Sequence, residues 1–293
     1  MKYLLLSAAT VFYISFLSSC KEVGPDINLH GNANSVSDTS YIESPVATPA
    51  AKNVLIEEFT GVNCPNCPQG HAEVTSLQAQ YPGRVAAVAL HANNSLDQPF
   101  PFSAQNLITT SSTNLLTYLM DPGFEPCAGI DRQLFPGQGN YILTDRGFWA
   151  GFVQTEITLT PQVNILLTSK YNAANSQETV IAEVHYTQNV TQPNNITIAL
   201  TEDSVLTAQL NGPTTIDTFY VHNNVLRNIL TGTTGDNVAY NPTVTLDAGR
   251  VVRLVYQTTL NSIWKPQNMH VLAFVHEHAT SQVVYQAAII PLN

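Results

Sequence analysis

Two cysteines three positions apart, with prolines between and after them, stand in GVNCPNCPQGH (61–71). The apolar run VLIEEF (54–59) precedes them, and HAEVTSLQAQY (71–81) follows with Ala72 and Leu77 at helical spacing. Strand, Cys-X-X-Cys, helix constrains the fold more than any other feature, because the chain must turn sharply while holding two thiols side by side. Cys64 is expected at a helix N-terminus, where unpaired N–H groups and the helix dipole favour a thiolate. Cys67, one turn on, is placed to attack a mixed disulfide and release a partner. Pro65 suits a first helical turn, whereas Pro68 is expected to kink the start. Other uses compete with exchange. The pair can be a static staple in a fold that has lost its chemistry. Cys64, Cys67, His71 and Cys127 can make a tetrahedral metal set, C-x2-C-x3-H plus one thiol. Covalent haem is excluded, since Pro68 stands where a histidine is required. Exchange is favoured, with Cys64 and Cys67 as the reacting pair and with no metal and no cofactor.

The chain opens MKYLLLSAATVFYISFLSSC. A single lysine and a short apolar run fall below the ~20 residues of a membrane-spanning helix and read as a secretory signal over 1–19. Leu17-Ser18-Ser19-Cys20 resembles a bacterial lipobox, which makes Cys20 the lipidation site and the membrane a partner through an N-terminal lipid. Each buried methylene of an acyl chain contributes about 0.8 kcal/mol, so several chains anchor firmly. Residues 20–51, rich in Ser, Asn, Pro and Ala without a period, read as the lipidated cysteine and a polar tether. An oxidising compartment permits disulfides. Of the four cysteines, three remain beyond Cys20, so at least one is unpaired within a monomer. A net charge of −10 with 11 basic residues and no basic cluster excludes nucleic acid as a partner.

Order is expected from Asn53. RVAAVALH (84–91) reads as a buried parallel strand, and SAQNLITTSSTNLLTYLM (103–120) as a helix. CAGIDRQLF (127–135) reads as a short strand, and Thr144 as the cap of a helix through DRGFWAGFVQTEI. The alternation predicts an α/β domain over 52–160 with a mainly parallel sheet. After Thr160 the pattern becomes alternating and β-branched in six segments divided by Asn, Gly, Pro and Asp. That predicts an antiparallel, sandwich-like all-β domain over 161–293. FYVHNNVLRNIL (219–230) reads as a strand leading into a helical turn.

LIEEFTGVNCPNCP resembles the active-site strand and turn of the thioredoxin family. That resemblance implies a buried proton-shuttling carboxylate at Glu58, six residues before Cys64, and a cis-proline at Pro126 shaping a peptide groove. The sequence departs from the family at Asn63, where an aromatic is common. It departs again at Cys127, an auxiliary thiol directly after Pro126. The lipobox, the tether, LIEEFTGVNCPNCPQGH, VAAVALH with Asp97 and Pro99, IDR and YVHNNVLR together resemble the Omp-twenty-eight-related outer-membrane lipoproteins. This implies lipid anchoring at the outer membrane and an envelope or extracellular protein as partner. The alternative is a non-enzymatic binding lipoprotein whose cysteines staple a loop.

The remaining polar candidates read as structural. Glu57 and Glu58 can be edge-strand charges, of which alternation points one inward. His91 is expected to cap a strand end through a satisfied hydrogen bond, and His222 with Arg227 to form a contact between domains. His276 and His278 share a strand face and read as surface histidines. No P-loop, G-x-S-x-G or H-E-x-x-H pattern occurs.

Overall fold

The computed structural model describes residues 38–293. The expected signal segment 1–19, the lipidated Cys20 and the first part of the expected tether lie outside the described residues. The elements run β1 (Thr39–Ile42), β2 (Val54–Phe59), α1 (Cys67–Gln80), β3 (Val85–Leu90), α2 (Thr110–Tyr118), β4 (Cys127–Ile130), β5 (Ile142–Leu143) and α3 (Trp149–Glu156). Beyond them come β6 (Val163–Asn172), β7 (Gln177–Tyr186), β8 (Asn194–Glu202), β9 (Val205–Asn211), β10 (Thr215–His222) and β11 (Val225–Ile229). The chain closes with β12 (Asp236–Asn237), β13 (Arg250–Thr259), β14 (Met269–Glu277) and β15 (Val284–Pro291).

The fold is β-rich, with mixed and antiparallel sheets. A nine-stranded sheet runs β15-β14-β8-β11-β3-β2-β4-β5, with β12 paired to β8. A four-stranded sheet runs β1-β13-β7-β6, and β9 and β10 form a hairpin of their own. The expected mainly parallel sheet is corrected. Parallel pairing links β2 to β3 along their length and β3 to β11 at one position, Val225 with Ala89. The β2–β3 pair is parallel because helix α1 carries the chain back between them; every hairpin-joined pair is necessarily antiparallel.

Strands from both sides of position 160 share the large sheet and one core. Leu55, Phe59 and Leu90 pack with Ala199, Leu272 and Phe274. On the other face of β2 and β3, Val54 and Ile56 pack on Val74 and Leu77 of α1 and on Trp149 and Val153 of α3. Both strands are buried at all six positions, which is why they read as continuous rather than alternating apolar runs. A third core fills the space between the four-stranded sheet and β8 and β14, through Val180, Val184, Ile198, Val252 and Val271.

Four local expectations are revised. Thr39–Ile42, inside the expected tether, pairs antiparallel with β13, because an exposed sheet edge accepts any extended segment through backbone hydrogen bonds. Helix α2 starts at Thr110 rather than near 103, because the Thr109 hydroxyl accepts from Ser112 N–H and caps it there. Asp145, not Thr144, caps the next helical stretch, accepting from Gly147 N–H. The segment 219–230 forms two strands and no helical turn. His222 ends β10, and Asn224 turns the chain at a positive φ of 56° before β11, a conformation asparagine tolerates better than most residues.

Candidate functional site

Strand β2 delivers the chain into the loop 60–66, and α1 begins at Cys67. Cys67, not Cys64, is thus the first helical residue. Pro68 falls in the first turn, where no N–H is needed, so the expected kink has no cause. Cys64 and Cys67 are joined in a disulfide, with Cα atoms 5.4 Å apart, and are 1% and 0% exposed. Gly61 N–H points at Cys67 Sγ over 3.4 Å. Cys127 is the unpaired thiol among the described residues and is buried opposite Phe59 of β2. Burial, reinforced by the Glu125 carboxyl, pushes its thiol far up, so it stays protonated.

β2 is flanked by β3 and β4, so its two glutamates are not edge charges. Glu57 projects to one face and meets Arg132 in a bidentate pair, both hydrogen bonds 2.7 Å long. Glu58 projects to the other face, against α1. A side chain on Gly70 would run into Glu58 Oε1 and Pro126, so carboxyl, helix and proline meet one turn beyond the disulfide. The Glu125–Pro126 bond is cis. Glu58 Oε1 has no hydrogen-bond partner. Burial raises its carboxyl to about 8, against a smaller opposing pull from Arg146.

Two further carboxyls crowd the cysteines. Glu125, immediately before the cis-proline, accepts from Asn94 Nδ2 at 2.7 Å, and Asp97 lies against it. Burial, then the Glu125 charge, raises Asp97 to about 9; burial likewise raises Glu125. A Glu125 carboxylate oxygen, Cys64 Sγ and Cys67 Sγ all lie within 4.8 Å of one another. Neither His71 nor Cys127 belongs to that group, which departs from the metal set read off the spacing.

His71 is turned away. Its Nε2 meets Thr60 Oγ1 at 2.7 Å and its Nδ1 meets Tyr220 Oη at 2.8 Å. His222 stands between His71 and His91, with ring centroids 5.9 Å from each. The expected satisfied cap at His91 is corrected: none of the ring nitrogens of His91 and His222 has a well-formed hydrogen bond. Burial lowers His71 to about 4. Burial, with repulsion from His71, lowers His222 to about 3. Burial and then His222 hold His91 well below its usual value. A cavity of about 400 Å³ opens beside these groups between α1 and β10, lined by Glu58, Pro68, His71 and Tyr220. Arg227 pairs with Glu202 at 2.8 Å and holds Gln105. His276, expected at the surface, is fully buried and bonds the Glu277 carbonyl at 3.0 Å, while His278 is exposed.

The β9–β10 hairpin lies over the cysteine loop. Leu210 N–H donates to Val62 O at 2.7 Å and Gly212 N–H to Pro65 O at 3.0 Å. Gln209 Nε2 reaches Gly61 O and Cys64 O, each at 3.1 Å. The hairpin leaves Leu206, Ile216, Phe219 and Val221 exposed. Sequence reading did not foresee this cover, nor Glu125 beside the sulfurs, nor the three-histidine row. Only Glu125 had a local signal, its position before a proline expected to be cis.

Among the described residues, no helix is long and apolar enough to cross a membrane. The model of the family described as "Outer membrane protein Omp28" matches residues 121–290. No curated protein matches the sequence. Among solved structures, HBP35 of Porphyromonas gingivalis is similar over 84% of this chain and 77% of its own, at 19% identity and a TM-score of 0.64. That likeness is one of fold. A domain of the outer membrane lipoprotein Omp28 from Porphyromonas gingivalis aligns over 45% of this chain and 89% of its own, at 17% identity and a TM-score of 0.32.

Proposed function

Because the chain belongs to the outer membrane protein Omp28 family, we propose that it is a lipid-anchored envelope protein that exchanges disulfides through Cys64 and Cys67. Cys20 carries the lipid, and β2, the cysteine loop, α1 and β3 work as a thioredoxin-like unit. The observation that carries this reading is Glu58. A buried carboxyl without a hydrogen-bond partner at Oε1 is costly, and this one meets α1 and cis-Pro126 one turn beyond the disulfide.

In the exchange, Cys64 thiolate attacks a substrate disulfide and one substrate thiolate leaves. Cys67 gives its proton to Glu58 in its ionised form, which gains population as pH approaches 8, and attacks Cys64 Sγ, and the second substrate thiolate leaves. The protein ends with the Cys64–Cys67 bond and the substrate with two thiols. Cis-Pro126 lines the groove where substrate backbone docks. Burial of both cysteines disfavours thiolates, which biases the couple toward the reducing side. The hairpin must lift for a substrate to reach Cys64, and its exposed Phe219 is offered to an envelope partner.

Redox titration of the protein in graded thiol buffers, with alkylation and mass mapping of each cysteine, tests the reading. A couple between about −120 and −270 mV, with turnover of a model disulfide lost in Cys64→Ser, is expected. The near-complete burial of both cysteines under the hairpin favours a second reading, a binding lipoprotein in which the disulfide is a staple. A couple below about −300 mV with no turnover establishes that reading instead.

A further inference from the structure

The donor atoms at the disulfide have a use that exchange leaves unexplained. Cys64 Sγ, Cys67 Sγ and a Glu125 carboxylate oxygen lie within 4.8 Å of one another. Glu125 is 7% exposed and Asp97 1%; the two carboxyls hydrogen-bond each other, and no donor outside that pair reaches Glu125 Oε2. Unpaired buried acceptors of this kind are few in folded proteins and call for a partner such as an ion.

We propose that the reduced Cys64–Cys67 pair, with Glu125, binds a thiophilic divalent cation, zinc in the first instance, and that disulfide formation expels it. The inference uses the same thiols as the exchange reading but does not depend on it. Thiolate sulfur and carboxylate oxygen are both donors that zinc takes, and three protein ligands leave a fourth position open for water or a partner's group. Thiolate donors select zinc over magnesium or calcium. Asp97, lying against Glu125, acts as the outer carboxylate that orients the ligand. Gly61 N–H, already aimed at Cys67 Sγ, is in place to support the thiolate. The redox steps balance: on reduction the disulfide takes two electrons from a dithiol, which also gives two protons, or from a phosphine, which becomes its oxide while water supplies the oxygen and the two protons, and zinc then releases the two thiol protons to solvent; on oxidation a partner disulfide takes the two electrons, becomes two thiols, and the zinc leaves.

The test uses full-length protein purified in detergent. One sample keeps its disulfide. The other is reduced with a phosphine, which is then removed under argon. Zinc is titrated against a chromophoric chelator, and cobalt is added separately to read thiolate-to-metal charge transfer. One equivalent of zinc is expected in the reduced protein and none in the oxidised, with the cobalt band appearing only on reduction. Glu125→Gln is expected to weaken binding by about tenfold or more, and Asp97→Asn by about 10- to 100-fold. Equal binding by the two redox forms overturns the proposal, as does unchanged binding in Cys64→Ser or in Glu125→Gln. Should a variant fail to fold, reduced wild-type protein with its thiols alkylated decides the matter, and zinc retained there also overturns it. A protein that turns over model disulfides but holds no zinc sinks this proposal alone. One that holds zinc and turns over nothing leaves it standing and removes the exchange reading.

Discussion

Glu57 and Glu58 are neighbours on β2, yet the two faces of the sheet treat them by different rules. On the Glu57 face two buried carboxylates touch opposite charges, and a third, Glu277, is held by N–H and hydroxyl donors of residues 279–281. Arg132 grips Glu57 at 2.7 Å and lies 4.8 Å over the Phe274 ring. Asp131 meets Lys52 at 2.7 Å, and Lys52 also donates to the Val284 carbonyl. On the Glu58 face no buried group has an opposite charge in contact: Glu58 Oε1 and both His91 nitrogens have no partner, and Glu125 and Asp97 lie against each other. Paired burial ties β2, β4 and β15 together. Unpaired burial costs stability and is kept where protons, electrons or ions have to move. The comparison teaches that burial alone does not mark a functional carboxyl; the missing partner does.

The largest effect should come from breaking the paired face. Arg132→Met leaves Glu57 buried without its cation and is expected to cost about 3–5 kcal/mol in urea unfolding, with the redox couple unmoved. A loss below about 1 kcal/mol would erase the distinction between the faces.

Glu58→Gln should behave in the opposite way. Turnover of a model disulfide is expected to fall about 100-fold, the lower end of what general acid–base catalysis contributes. Stability should not fall with it. Glu58 titrates near 8 in the folded protein against an ordinary value of 4.5, so the native state holds the proton between those values. Its carboxyl therefore favours folding at low pH and loses that advantage as pH rises from 4.5 through 8. Glu58→Gln should gain on wild type over that window, by at most about 1.4 kcal/mol per pH unit. Parallel stability curves would place a partner on Glu58 after all.

The histidine row gives a slope of opposite sign. His71 at about 4 and His222 at about 3 are depressed from 6.5, so the unfolded chain takes up protons first. Their contribution is intact above 6.5 and is lost as pH falls from there toward 4 and 3. Each group adds at most about 1.4 kcal/mol per pH unit. His222→Phe should flatten the fall in unfolding free energy between pH 7 and pH 5; an unchanged slope would show that His222 is not buried neutral.

Cys127→Ala is the smallest change. It should cost about 1 kcal/mol and leave the Cys64–Cys67 couple where it was. In the folded protein Cys127 should resist iodoacetamide until the chain unfolds. Rapid labelling would show that the thiol is reachable from the groove.

Local signals carried a good part of this architecture. The β2–loop–α1–β3 unit is legible because the apolar run, the cysteine turn and the helical spacing all lie within about forty consecutive residues. Strands β6, β7, β13, β14 and β15 fall where alternation puts them, because a two-residue period is a property of one segment. Cys64 is bonded to Cys67, and Glu58 and Pro126 meet at Gly70, one turn further on. Helix starts were less legible, because a single hydroxyl or carboxyl decides them, as at Thr109 and Asp145.

Partnership is what the chain does not write locally. Alternation says that β8 is a strand; it does not say that β8 lies between β14 and β11 and carries the large sheet on toward β3. The hairpin over the cysteines joins residues about 150 positions apart, through Gln209 and Gly61. His71, His91 and His222 come from a helix, the loop after β3 and the end of β10, and Glu125 reaches the sulfurs only because β4 runs antiparallel to β2. The sequence by itself determined the disulfide turn, the helix after it and the strand grammar, since each depends on backbone geometry over a few residues. Tertiary structure decided which carboxyl is paired, which histidine is unsatisfied and what covers the disulfide. Those depend on sheet order and register, where shifting a strand by one residue sends every side chain to the other face.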